Sequence, residues 1–109
     1  MDVKSREEII KFAQKLNSTN LSPLRSGNIS LKAQNNNEEG FLITPSGKKY
    51  DSLKADDIVF VSLEGKYNEK GLQPSSEWRF HKDIYLKKAD AKAVVHAHSP
   101  HATAVSAHN

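Results

Sequence analysis

The sequence contains two histidines separated by one residue, His96 and His98, at the end of the apolar run 93–97. In an extended strand, side chains at positions i and i+2 project from the same face, so both imidazoles can reach one ion. A catalytic zinc uses about three protein ligands and keeps one position open for substrate or water. Polar histidines that leave a strand without binding metal show the same spacing. The third ligand remains open among His81, His101, His108, a carboxylate and a residue beyond position 109.

A second group of reactive residues lies at Ser75, Ser76 and Glu77, where a helix is predicted to begin. The first turn of a helix has unpaired N–H groups and the positive end of the helix dipole, and the serine hydroxyls add donors, so a phosphate fits there. If Glu77 faces the metal, it is placed to move a proton beside a polarised carbonyl. In the alternative interpretation, the serines only cap the helix and Glu77 lies at the surface. His81, one turn further on, is then a half-buried helix residue.

Two other segments combine glycine with short polar side chains. They are Ser26-Gly27-Asn28, before the first predicted strand, and Thr44-Pro45-Ser46-Gly47, after the second. Glycine lets the backbone approach a ligand closely, and successive N–H groups in such turns bind anions. Either segment alone could equally be an ordinary turn. Their occurrence together with a histidine pair favours a phosphate site beside a metal.

The elements that must position these residues alternate between helix and strand. Ser5 and Glu8 form a capping-box pattern, and Ile9, Phe12, Ala13 and Leu16 recur at the spacing of one helical face, which predicts a helix over 6–18. Strands are predicted over 29–33, 41–43, 58–63 and 93–97, with a loop over 34–39.

Two further helices are predicted in the second half of the chain. One is capped by Ser75-Ser76 and carries the apolar stripe Trp78, Phe80, Ile84 and Tyr85. The other opens at Ser99-Pro100, because serine is a favoured cap and proline a favoured first-turn residue. The intermixed elements predict an α/β or α+β class, with a sheet covered by helices.

Composition limits the class of protein. The 109 residues are expected to form a single domain over 1–109, and no apolar run is long enough to predict a membrane span or a signal peptide. The net charge of +3 comes from dispersed lysines without interleaved aromatic residues, so nucleic acid is not an expected partner. Because cysteine is absent, a metal site would use histidines and carboxylates. A cytoplasmic location is expected.

Four motifs, in this order, resemble the class II aldolase and adducin head family: 26–30, 42–47, 74–81 and 94–98. The resemblance implies a three-layer α/β/α sandwich around a mainly antiparallel sheet, in a homotetramer. It also implies that this chain is the amino-terminal half of a family member, so that the domain is truncated at its carboxyl end. Uncovered sheet edges would then favour self-association.

The resemblance also assigns roles to individual residues. It implies that Glu77 is the acid/base, that His96 and His98 bind Zn2+, and that the third zinc ligand lies beyond residue 109. It implies a phosphate site made of Gly27, Asn28, Ser46, Gly47, Ser75 and Ser76.

The implied reaction is reversible cleavage of a sugar 1-phosphate, of the L-fuculose 1-phosphate type, to dihydroxyacetone phosphate and an aldehyde. Inactivity of the isolated 109-residue chain is compatible with this expectation, because the third zinc ligand is expected outside it. One alternative is a non-catalytic, adducin-head-like remnant used for assembly. The other is a related sugar-phosphate epimerase or dehydratase, although the epimerase branch tends to carry aspartate where Glu77 stands.

Overall fold

The computed structural model describes residues 3–18, 28–47, 52–96 and 102–106. Its centre is a five-stranded sheet in the order β3-β2-β1-β4-β5, in which every neighbouring pair is antiparallel. The strands are β1 Asn28–Asn35, β2 Glu38–Ile43, β3 Val59–Ser62, β4 Ala91–His96 and β5 Ala102–Ser106. The helices are α1 Val3–Ser18 and α2 Trp78–Lys87, and a short 3-10 helix spans Ala55–Asp57. Neither α1 nor α2 combines the length and apolar character that crossing a bilayer requires.

Alternation along the strands separates two cores. On β2, Leu42 packs with α1 residues, whereas Phe41 and Ile43 pack with α2 residues. The central strand repeats the pattern, with Ile29 in the α1 core and the Ser30 hydroxyl bonded to α2. Because successive side chains of a strand point to opposite faces, the helices cover opposite sides of the sheet. The predicted three-layer α/β/α arrangement around an antiparallel sheet is confirmed.

Helix α1 differs from its prediction in two details. It begins at Val3, so Ser5 lies inside the helix and the capping-box prediction at this residue is wrong. Ile9 and Ala13 are fully buried as predicted, but Phe12 is 53% exposed. Ile9 and Ala13, one turn apart, share the buried face of the helix, and Phe12 lies outside that face.

The hairpin between β1 and β2 is tighter than the predicted loop over 34–39. Only Asn36 and Asn37 are unpaired, and both have positive φ, 53° and 68°. Two-residue turns of this kind match the twist of the flanking strands, and asparagine tolerates the left-handed conformation better than most residues. Two asparagines therefore suffice where a longer loop was expected.

The helix predicted to open at Ser99-Pro100 is wrong for the part of it that the structure describes. Residues 102–106 form β5, which pairs with β4 from Ala91↔Ser106 to His96↔Ala102. The alanines suggested a helix, but pairing with the edge of β4 satisfies the backbone N–H and C=O groups that a helix would otherwise bond. Ser99 and Pro100 themselves lie outside the described residues.

Candidate active site

The predicted site residues that the structure describes lie at one edge of the sheet, where β1 begins and β2 and β4 end. Strand β1 lies between β2 and β4, and both neighbours run antiparallel to it. Its first residue, Asn28, is therefore paired with His96, the last residue of β4, while Ser30 is paired with Ile43 at the end of β2. Strands β2 and β4 therefore both end at the edge where β1 begins.

Two of the predicted phosphate-binding segments are joined to each other here. Pro45 and Pro74 form an isolated antiparallel bridge. Two backbone hydrogen bonds, each 2.9 Å long, flank it: Ser46 N to Gln73 O and Ser75 N to Thr44 O. Pro45 and Pro74 face each other at a position where an antiparallel pair exchanges no hydrogen bonds. Their lack of N–H groups therefore removes no hydrogen bond from the bridge. The bridge brings the Thr44–Gly47 turn against the residues that precede α2.

The predicted phosphate residues in these segments differ in exposure. Ser46, Gly47 and Ser76 are exposed, whereas Ser75 is buried. The Ser75 hydroxyl accepts a 3.3 Å hydrogen bond from the Glu77 N–H, but neither Ser75 nor Ser76 occupies the cap position that the sequence predicted for them. The residue at the cap position itself is Glu77, without a side-chain cap hydrogen bond. The turn at Gly47 has φ +75°, a conformation that glycine adopts without strain.

Glu77 and His96 meet at this edge. Glu77 Oε1 lies 3.3 Å from His96 Nδ1, and the Phe80 ring packs against the imidazole with centroids 5.1 Å apart. Nδ1 is a buried atom, and it has no hydrogen-bond partner within the described parts of the chain. Buried ring nitrogens are normally bonded, and a neutral imidazole nitrogen is a zinc ligand, so this atom fits a metal ion.

The rest of the predicted metal site lies outside the described residues. These include His98, the candidate ligands His101 and His108, and the predicted phosphate residue Gly27. Over 3–18, 28–47, 52–96 and 102–106, no group of three or more histidine or acidic side chains is arranged to hold a metal. His96 is therefore the one predicted zinc ligand whose surroundings are described.

The remaining candidate ligand, His81, has both ring nitrogens hydrogen-bonded. It is fully buried, with Nδ1 2.6 Å from Ser30 Oγ and with Nε2 hydrogen-bonded to Asn28 Oδ1. Ser30 Oγ is also 2.8 Å from the Tyr85 hydroxyl. His81 has no nitrogen left for a metal, which supports the prediction of a helix histidine that does not bind one. His81 is fully buried, whereas the sequence predicted a half-buried residue.

The side chains in this network stay uncharged at neutral pH. Burial, followed by the nearby His96, lowers the pKa of His81 to about 3. Burial also raises the pKa of Tyr85 well above its ordinary value, and the hydrogen bond to Ser30 only partly opposes this. Desolvation disfavours the charged form of each group. Because His81 is neutral, one ring nitrogen donates and the other accepts.

Sequence reasoning assigned no role in the site to Ser30 or Tyr85. A serine among the alternating residues of a strand usually marks the solvent face, and Tyr85 was predicted as part of an apolar stripe. The available signal was the i, i+4 spacing of His81 and Tyr85, which places both on one face of α2. Both are the buried residues of that helix.

The chain is similar in sequence to known sugar-phosphate aldolases. The chain is 43% identical over 103 residues to the L-fuculose phosphate aldolase of Escherichia coli K12, covering 94% of this chain and 46% of that protein. It is 40% identical over 101 residues to the 5-methylthioribulose-1-phosphate/5-deoxyribulose-1-phosphate aldolase of Rhodospirillum rubrum. This match covers 93% of this chain and 43% of that protein. The chain thus spans about half the length of the curated relatives it matches.

A solved structure of L-fuculose 1-phosphate aldolase superposes with a TM-score of 0.80 at 33% identity, covering 92% of this chain and 46% of that one. The family profile described as Class II Aldolase and Adducin N-terminal domain matches residues 7–109, nearly the whole chain. The four motifs identified in the sequence all lie within that match. This chain therefore belongs to the class II aldolase and adducin family.

Proposed function

We propose that this chain supplies the phosphate pocket, the acid/base glutamate and two zinc ligands of an enzyme that cleaves a sugar 1-phosphate by a reversible aldol reaction. The observation that carries the proposal is the 3.3 Å approach of Glu77 Oε1 to His96 Nδ1, at the edge of the sheet where the predicted phosphate segments meet. A carboxylate beside a buried imidazole nitrogen without a hydrogen-bond partner places an acid/base group next to a candidate metal ligand.

The proposed phosphate site uses the start of α2 and the segments next to it. Its residues are Gly27, Asn28, Ser46, Gly47, Ser75 and Ser76. Support comes from the bridge between Pro45 and Pro74, which brings two of the segments together, and from the positive end of the α2 dipole. Holding the phosphate would fix the carbon skeleton of the substrate relative to Glu77.

In this proposal His96 and His98 hold zinc together with a third ligand from beyond residue 109. Class II aldolases depend on a metal ion. When bound, zinc supplies positive charge where negative charge develops on the substrate oxygens. Glu77 takes a proton from the substrate and returns it to the product, and Phe80 excludes water from one side of the His96 ring.

The proposed products are dihydroxyacetone phosphate and an aldehyde. The names of the two relatives differ in the sugar, L-fuculose in one and 5-methylthioribulose or 5-deoxyribulose in the other. A 1-phosphate of the L-fuculose type is the proposed substrate, and a turnover comparison across these three sugar phosphates would identify the preferred one. The proposal includes a cytoplasmic location and a homotetramer. Sedimentation analysis would test the homotetramer.

Substitution of Glu77 by glutamine tests the chemical role in the protein that contains this chain. Glu77→Gln removes the proton-transfer group but keeps its size, so kcat should fall about 10²- to 10⁴-fold while the zinc content stays unchanged. Glu69→Gln, at an exposed position, is the matched control and should leave kcat unchanged. Unchanged turnover in Glu77→Gln would reject the assignment.

Substitution of His96 by alanine tests the metal site separately. His96→Ala should lose zinc, as measured by inductively coupled plasma mass spectrometry after dialysis, because a two-ligand site binds weakly. A zinc content equal to that of the unsubstituted protein would exclude His96 as a ligand. Purification of the unsubstituted protein without zinc would favour the non-catalytic assembly module.

A further inference from the structure

A buried chain of hydrogen bonds runs from α2 to the first residue of β1. It begins at the Tyr85 hydroxyl, passes through Ser30 Oγ and both ring nitrogens of His81, and ends at Asn28 Oδ1. Asn28 is 6% exposed and the other three side chains are 2% exposed or less. The chain ends at a residue of the proposed phosphate site, opposite His96 in the strand pairing.

The chemistry of these groups fixes the direction of the chain. A carboxamide oxygen only accepts hydrogen bonds, so His81 Nε2 must donate to Asn28 Oδ1. The neutral ring then has an unprotonated Nδ1, which accepts from the Ser30 hydroxyl. With its proton used in this way, Ser30 Oγ accepts from the Tyr85 hydroxyl. Each hydrogen bond then has one donor and one acceptor, and no donor faces another donor.

We infer that His81 is a positioning residue: it holds the Asn28 carboxamide oxygen, so that the amide N–H₂ group is the end left to donate to the substrate phosphate. This inference rests on the proposed function, in which Asn28 binds phosphate. An amide in the opposite orientation would present an oxygen to an anion, and the two would repel each other. His81 thus acts on the substrate through Asn28, without touching it.

The protonation state of His81 provides a direct test in the unsubstituted protein. Nitrogen-15 NMR distinguishes the two neutral tautomers of histidine from the imidazolium. We expect His81 to be neutral at pH 7, with its proton on Nε2. A proton on Nδ1 would reverse every hydrogen bond in the chain and turn the Asn28 oxygen toward the phosphate site, which would overturn the inference.

Phosphate affinity tests the action through Asn28. Inorganic phosphate is the probe, titrated calorimetrically into the zinc-loaded protein. Loss of one hydrogen bond to an anion corresponds to about a tenfold increase in Kd, so Asn28→Ala and His81→Phe should each weaken binding by about that factor. In the double variant, His81→Phe should add less than about twofold, since its effect requires Asn28.

The conservative variant His81→Gln separates positioning from packing. Glutamine retains an N–H donor for Asn28, so phosphate affinity should return to within about threefold of the original, although the ring is lost. Two results would show that His81 has a structural role only and would overturn the inference. In one, the increases in Kd of the two single variants multiply in the double variant; in the other, His81→Gln loses as much phosphate affinity as His81→Phe. If Asn28→Ala leaves Kd unchanged, the phosphate assignment fails together with the inference. A loss in Asn28→Ala without one in His81→Phe overturns the inference alone.

Discussion

The two helices cover opposite faces of the same sheet with different chemistry. Helix α1 buries Ile9 and Ala13, which are apolar, whereas α2 buries His81 and Tyr85, which carry ionisable groups. Burying a polar group is costly unless it is hydrogen-bonded, and both α2 residues bond to Ser30. The α1 face thus contributes apolar packing, while the α2 face also forms hydrogen bonds with polar residues of β1.

The largest expected effect tests the α1 face. Leu42→Ala removes a fully buried side chain from the α1 core and should lower the free energy of unfolding by about 2–5 kcal/mol. Phosphate affinity of the folded protein should not change, because this face contributes packing alone. Urea unfolding and calorimetric titration measure the two quantities. Leu86→Ala, at a 56% exposed position of α2, is the control and should shift stability by less than about 0.5 kcal/mol.

The substitution Gly40→Ala tests how closely β2 and β3 pack on the α1 side of the sheet. A Cβ at Gly40 would overlap the Val61 carbonyl oxygen and lie 2.6 Å from the Phe60 ring, so β3 must shift. We expect a loss of about 1–3 kcal/mol in the free energy of unfolding. Gly71→Ala is the matched control, since its Cβ would meet only the Asn68 carbonyl at 3.9 Å. Equal stability of the two variants would show that the strands are not closely packed here.

The α2 face should make stability depend on pH. The pKa of His81 is lowered to about 3, mainly by burial and secondly by His96, from an ordinary value of 6.5. Between these values the unfolded chain binds a proton that the folded chain does not, so stability is complete above pH 6.5 and declines as pH falls. From pH 7 to pH 5 the decline should be about 2 kcal/mol.

Urea unfolding at several pH values between 5 and 7 measures this decline in stability. Carboxylates titrate mainly below about pH 5, so they contribute little to it. The His81→Gln variant, which cannot bind the proton, is the comparison protein and should lose most of the slope between pH 7 and pH 5. An identical slope in both proteins would contradict burial of a neutral His81. Such a result would remove the main difference between the two faces.

The smallest expected effect concerns the outer end of the hydrogen-bonded chain. Tyr85→Phe removes one hydrogen bond to Ser30 but keeps the ring stacked on Phe41, with centroids 5.3 Å apart in the parent structure. The free energy of unfolding should fall by about 1 kcal/mol. Thermal and urea unfolding measure the change. A loss as large as that of Leu42→Ala would mean that Tyr85 acts mainly through packing.

Local sequence patterns predicted much of this fold, but they did not predict contacts between residues far apart in the sequence. Alternation of apolar residues located β1, short apolar runs located β2 and β3, and the motif at Ser75-Ser76-Glu77 located the start of α2. The bonds from Ser30 to His81 and Tyr85 join residues 51 and 55 positions apart, which no local period encodes. Strand β5 was missed for the same reason, since its conformation depends on the edge of β4. The role of Gly27 and the ligation by His98 stay predictions.

The bridge between Pro45 and Pro74 has a consequence for ligand affinity. Each proline ring fixes its own φ, and the flanking backbone hydrogen bonds tie the Ser46 turn to the approach to α2. An anion that binds both segments would therefore find them already ordered, and little conformational entropy would be lost on association. Affinity would then depend on a scaffold contact that never touches the ligand.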